Sequence, residues 1–236
     1  METTKTEYKL NGKSYTRVTT ILNLLDKSNA LIPWALNCME QYISENLSQN
    51  EPIKETISRA KKEYREISKK AKDIGSEIHD KIKEYIQHGK DACGEMRPEV
   101  ENGFLAFLEW EAENSVKWLG SEIFVYSDVL GVAGTLDAPC EIRGKRYIID
   151  FKSAKAIYDE YLLQLCAYRF LYSDVEKIDN LGILRLDKET GKPEFFDITE
   201  KYGLEKIEML TEAFKLLANF HKLYKAGKSK RKLKGA

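Results

Sequence analysis

The sequence predicts an α/β protein with a largely helical N-terminal half. Three observations lead there. Apolar residues recur at helical spacing through most of residues 18–118, and after Gly120 the pattern turns to period two with β-branched and aromatic residues. A second helical stretch, YDEYLLQLCAYRFLY, then separates the first strands from the later ones. At 236 residues the chain can bury one substantial core, and no linker rich in proline, glycine or serine divides it. We therefore expect one domain over 1–236, with an N-terminal hairpin and helical region (1–97), an α/β core (98–200), a C-terminal helix (201–226) and a basic tail (227–236).

The opening EYKLNGKSYTR alternates around Asn11-Gly12, a pair suited to a type I′ turn, and reads as a β-hairpin. Helices follow at VTTILNLL, from Pro33 through Ile43, from Pro52 through Lys72, around Gly75 to Gln87, and from Pro98 to Trp118. The run RAKKEYREISKKAKD within them is most simply a solvated helix face. SEIFVYSD, GVAGTLDAPCEIR and KRYIIDFKS read as three successive strands, the last two joined through Arg143-Gly144 as an antiparallel hairpin. After the helix YDEYLLQLCAYRFLY come the strands NLGILRLD and KPEFFDIT. A long helix from Gly203 to about Tyr224 leads into KAGKSKRKLKGA. From Pro98 onward the order is helix, three strands, helix, strand.

Composition narrows the class without naming a partner. With 42% hydrophobic and 11% aromatic residues the chain is too apolar to be disordered. Its 38 basic and 38 acidic residues cancel, so contact with an anionic partner would have to come from local clustering. Neither the start METTKTEYKL nor any later stretch has an apolar run of targeting or membrane-spanning length, so we expect a soluble cytoplasmic protein with no membrane partner. Cys38, Cys93, Cys140 and Cys166 lie far apart without a CxxC pair, which suits reduced thiols better than disulfides or structural zinc.

Asp150 and Lys152, two apart in YIIDFKS, project from one face of a strand, with Ile149 and Phe151 turned into the core. Both charges would be costly to bury without partners. A salt bridge at a strand end accounts for such a pair on its own. Asp137, in GTLD, lies thirteen residues upstream on the preceding strand of the same hairpin, so the two carboxylates can converge. Two carboxylates completed by phosphate oxygens suit a hard divalent cation, and a lysine beside them can position a water or offset developing charge.

In that order, GTLD, IIDFKS and QLCAY resemble the motifs of the PD-(D/E)xK nuclease superfamily over residues 98–187 or so. The resemblance is to its RecB/Cas4-like exonuclease branch, which takes in mitochondrial genome maintenance and phage exonucleases. It implies the family core of helix, three strands, helix and strand. It also implies Asp137, Asp150 and Lys152 as catalytic residues, and Mg2+ or Mn2+ as the cofactor. Gln164 and Tyr168 match the family's Q-x-x-x-Y pair, one helical turn apart, which implies contact with the DNA backbone; a surface pair packing on its neighbours is the structural alternative. His79, in IGSEIHDKI, resembles a histidine that supplies a further metal ligand, and Glu122 matches an acidic position near the metals. Ser153 fits a small hydroxyl that donates to a phosphate or simply ends the strand. His88 and His221 lack such context and read as surface residues. In YTRVTTIL, Arg17 or Thr19 are candidates for substrate contact, although a core helix explains the segment better.

Cluster-bearing relatives carry three cysteines after the Q-x-x-x-Y helix, and no cysteine follows Cys166, so no iron-sulfur cluster is expected. The resemblance implies a metal-dependent DNA exonuclease working on single strands or duplex ends in recombination, repair or replication, alongside proteins of those processes. An endonuclease of the same fold, restriction or junction-resolving, and a non-catalytic DNA-binding module remain open. The KSKRKLK tail reads as a phosphate-attracting arm or a solvated terminus.

Overall fold

The computed structural model describes residues 1–48, 51–90, 93–178 and 180–232, and of these the side chains of all but 30 and 228–232. The chain packs as two compact units, one of Met1–Leu24 with Ile78–Ala236 and one of Leu25–Glu77. The second boundary carries no linker signature, because the chain crosses it inside a helix, α3 (Ile53–His88). No helix among the described residues is long and apolar enough to cross a membrane.

The Leu25–Glu77 unit is built from α2 (Ser28–Asn46) and the part of α3 up to Glu77. Asp26 accepts the Ser28 N–H at 2.8 Å as α2 begins. The helix then runs through Pro33, the residue at which the sequence predicts its start. The two helices expected over 52–72 and 75–87 are one. The only interruption between them is Gly75, which costs a helix about 1 kcal/mol and does not break it. Trp34 meets Tyr64 edge to face at 6.2 Å, and Arg59 pairs with Glu51.

The larger unit is a mixed α/β assembly with two five-stranded sheets. The first has the order β1-β2-β3-β6-β5, with β1 Glu2–Thr3, β2 Glu7–Leu10, β3 Lys13–Arg17, β6 Val132–Leu136 and β5 Ile123–Ser127. The second has the order β10-β9-β8-β7-β4, with β10 Pro193–Asp197, β9 Asn180–Leu186, β8 Lys145–Lys152, β7 Ala138–Ile142 and β4 Lys117–Trp118. The β2–β3 hairpin turns on Asn11 (φ 49°) and Gly12 (φ 78°), the two positive φ angles that a type I′ turn requires. Arg143 (φ 50°) and Gly144 (φ 77°) close β7–β8 in the same way.

Three boundaries depart from the sequence reading, each for a local reason. α4 (Pro98–Asn114) stops at Ser115, which is left-handed (φ 52°), and this frees Lys117 and Trp118 to pair with Glu141 and Cys140 as β4. GVAGTLDAPCEIR is not one strand but β6 and β7, in different sheets. The last helical segment, α6 (Ile198–Lys232), is broken where Gly203 adopts φ 74°, so a short helical piece precedes the long helix expected from Gly203, which continues past Tyr224. The basic side chains of the tail from residue 228 lie outside the described residues.

α5 (Asp159–Tyr172) crosses over between the parallel strands β8 and β9 and packs against α6. Behind β8 lies an aromatic cluster. Phe107 is 5.7 Å and Trp118 6.0 Å from the Phe151 ring, and Glu111 accepts from both Tyr85 and the Trp118 indole. Ile148 and Ile149 are fully buried, so the strand carrying Asp150 and Lys152 is held on both sides by packed apolar groups.

Candidate metal centre

Asp137 stands where the chain leaves one sheet for the other. Leu136 pairs with Ile123 in the first sheet and Ala138 pairs with Ile149 in the second, so Asp137 belongs to neither ladder. Its groups are used at the junction instead. Its carbonyl accepts the Glu122 N–H at 2.7 Å, and its Oδ2 accepts the Phe151 N–H at 2.8 Å. His79 Nδ1 lies 3.5 Å from the same Oδ2. Asp137 thus ties together the strand switch through its carbonyl, and the end of β8 and the C-terminal part of α3 through its side chain.

Glu122 immediately precedes β5 rather than lying within it, and its φ of 53° is a strained, left-handed angle for a non-glycine residue. That conformation accompanies the bond to Asp137. His79, Glu122 and Asp137 each offer a ligand atom, and these atoms lie within 4.8 Å of one another.

Asp150 is the most buried charge of the group, at 1% exposure. Lys152 Nζ sits 2.6 Å from its Oδ2 as an ion pair, yet neither carboxylate oxygen receives a well-directed hydrogen bond. Burial, reinforced by the negative charge of Asp137, pushes Asp150 up to about 6 against the opposing pull of Lys152. Burial acts the same way on Asp137, but there the His79 charge and hydrogen bond win and its pKa falls below the usual value. His79 moves oppositely, since burial lowers it and Asp137 more than restores it, leaving it raised. Glu122 is raised by burial and by Asp137. An imidazole, two convergent carboxylates and a third carboxylate with unsatisfied buried oxygens form a nitrogen-and-oxygen donor set compatible with a divalent cation.

The opposite wall comes from α5. Lys152 Nζ donates to Gln164 Oε1 at 3.3 Å, and Gln164 Nε2 donates to the Tyr168 hydroxyl at 3.1 Å, so the i,i+4 pair acts as a connected strut. Tyr168 is only 4% exposed, and its ring reaches the β6 backbone. A Cβ at Gly134 would lie 2.6 Å from Tyr168 Cε1 and 3.2 Å from Val18 Cγ2, so only glycine fits without displacing the ring. Gly134→Ala is expected to destabilise the fold by about 1–3 kcal/mol. Urea denaturation should show this as a lower midpoint at an unchanged slope.

A cleft of about 170 Å³ opens beside Glu122 and Tyr168, walled by Tyr8, Arg17, Val18, Thr19, Gly134 and Thr135. Arg17 lies over the Tyr8 ring at 4.6 Å and donates to the Thr4 carbonyl. Arg17 and Thr19 therefore border the group, while Val18 and Ile21 of the short helix α1 (Val18–Leu22) are fully buried core.

His79, Glu122, Asp137, Asp150, Lys152, Gln164 and Tyr168, which the sequence reading singled out separately, all meet here. Ser153 follows directly on Lys152, half-buried at the end of β8. Tyr161 escaped that reading although Lys152 Nζ lies 4.7 Å from its ring centre. Its spacing of three before Gln164 and seven before Tyr168 places it on their face of α5, and that periodicity could have found it. Nothing local pointed to Tyr8 or Thr135, whose hydroxyls lie 3.3 Å apart across 127 residues of sequence. The four cysteines are all free thiols, Cys38 half-buried and the others buried.

The architecture defines a mixed α/β protein. No family model matches the chain, and no curated protein does. Among solved structures the chain is similar to one described as "Crystal structure of SSO0001", at 13% identity over 80% of this chain and 87% of that one, with a TM-score of 0.29.

Proposed function

We propose that this chain is a metal-dependent nuclease of the PD-(D/E)xK kind, an exonuclease that hydrolyses phosphodiester bonds at DNA ends or in single strands. One observation carries the reading. Asp137, Asp150 and Lys152, drawn from a strand junction and a strand end, converge with His79 and Glu122 at a single point. A single salt bridge does not account for that group, because the one ammonium of Lys152 faces a buried Asp150 that stands beside two further acids, Asp137 and Glu122. The succession α4, β4, β5, β6, β7, β8, α5, β9 keeps a helix, consecutive strands, a helix and a strand in that sequence, with five strands where three are expected.

Mg2+ or Mn2+, held by His79, Glu122, Asp137 and Asp150, would supply a Lewis acid to the scissile phosphate and make an attacking water more acidic. The protein's own groups do the positioning. Asp137 holds its orientation through the Phe151 amide, and His79 faces the same carboxylate oxygen. Lys152, steered by Gln164 and Tyr161, presents an ammonium that donates to the phosphate or the water and offsets charge as the phosphate becomes more anionic. Tyr168 keeps Gln164 in place.

End-labelled single-stranded, duplex and flap DNA, with covalently closed circles, should be incubated with Mg2+ or Mn2+ beside Asp137→Asn. Cation-dependent shortening from an end, slowed about a thousandfold in the variant, is expected. Failure to cut any substrate with either cation would remove the reading, and cutting of closed circles would turn it to an endonuclease.

A further inference from the structure

Beyond Gly203, α6 has two unlike faces. Ile207, Thr211, Phe214 and Ala218 are buried and hold the helix in its unit. On the other side Met209, Leu216, Phe220 and Leu223 are 53%, 69%, 57% and 74% exposed, and Tyr224 stacks on Phe220 at 5.9 Å. A single exposed leucine is ordinary, but four large apolar residues in one line mark an interaction surface. With Ala213 between Met209 and Leu216, the residues recur at alternating steps of four and three, the spacing of a seam that takes another helix.

We propose that this seam pairs with its own copy, α6 against α6 in antiparallel orientation, to make a two-fold symmetric dimer. The charge along the helix selects that occupant. Residues 204–213 hold Glu205, Glu208 and Glu212 against Lys206 alone, whereas residues 214–227 hold Lys215, Lys222 and Lys225 and no acid. Glu208, Glu212 and Lys225 also pair within their own chain, with Arg169, Lys215 and Glu7, so the match is one of fields as much as of single bonds. An antiparallel mate centred near Leu216 lays the acidic end of each helix along the basic end of the other, and it opposes the two helix dipoles. A parallel mate would set like charge on like. A two-fold axis also needs no second kind of surface, since one patch serves both copies.

The area is sufficient for a modest dimer. With on the order of 100 Å² available from each large seam residue, each copy contributes on the order of 400–500 Å², so the pair reaches about 1,000 Å², the lower range for specific association. A pair of that size belongs with weak, concentration-dependent association.

Sedimentation velocity from about 1 to 100 µM should show monomer giving way to dimer. Leu216→Glu should stay monomeric throughout with an unchanged melting profile, because Leu216 makes its main contacts across the seam. Cysteine cross-linking then reads the orientation, with the parent protein as control for the native thiols. Under mild oxidation Leu216→Cys should join to its own copy, whereas Leu223→Cys should not, because its antiparallel neighbour is Met209. A monomer at every concentration, a dimer indifferent to Leu216→Glu, or Leu223→Cys joining as readily as Leu216→Cys would each overturn the proposal.

Discussion

Lys152→Ala is expected to slow DNA hydrolysis by roughly a hundred- to ten-thousandfold, and to weaken the fold by about 3 kcal/mol or more in the absence of divalent cation. The first effect follows from losing the ammonium that faces the proposed phosphate position. The second follows from burial. Asp150 is 2% exposed in its side chain and Lys152 15%, so the variant leaves Asp150 and Asp137 with His79 as their nearest compensating group. The two effects can be separated. Mn2+ should restore stability in the variant, because it replaces the missing positive charge, yet leave the rate low. If denaturant midpoints in Lys152→Ala and the parent coincide without cation, the account of Asp150 as a strained, poorly satisfied charge fails.

The parent shares a milder form of this liability, and its pH dependence has a definite sign. Asp150 titrates near 6 in the fold against 3.8 ordinarily, so the folded state holds a proton that the unfolded chain has already released. A raised acid favours the fold below its ordinary value and disfavours it above the folded value. The Asp150 contribution to metal-free stability should therefore decline as pH rises from about 4 to about 6. The contribution is isolated by comparison with Asp150→Asn, in which this part of the pH profile should flatten.

The second large effect is cation-linked stability. At a cation concentration a hundred times its dissociation constant, binding to the folded state alone contributes about 2.7 kcal/mol, which for a chain of this size raises the melting temperature by about 5–10 °C. Asp137→Asn should lose most of that rise, because in the proposed site Asp137 would supply a ligand oxygen, and its Oδ2 also holds the end of β8 through the Phe151 N–H. Differential scanning calorimetry with Mg2+, Mn2+ or EDTA decides the matter without reference to catalysis. An equal rise in Asp137→Asn would place cation binding elsewhere.

How much of this was legible beforehand depended on the distance in sequence between the parts. Asn11-Gly12 and Arg143-Gly144 announce their turns through residues that tolerate positive φ, and both hairpins form there. Asp150 with Lys152, and Gln164 with Tyr168, lie within one strand step or one helical turn of each other, so local periodicity alone put each pair on a shared face. His79 and Glu122 entered only through resemblance. The span from Gly131 to Arg143 misled, because alternation continues through GTLDAPC and nothing in the pattern marks a change of sheet. Ser115 was equally silent, since its left-handed turn is a property of the packed α4 end and not of serine.

By itself, then, the sequence determined the type and order of most elements and the identity of the titratable residues, because these follow from side-chain periodicity and turn chemistry over a few residues. Tertiary structure alone decided that Asp137 sits between two sheets, that Asp150 is buried against the Lys152 ammonium, and that Tyr161 lies beside Lys152. It also decided which face of α6 is left outward. Burial, charge coupling and the spare side of a helix depend on what packs against each residue from far along the chain, and no local pattern contains that information.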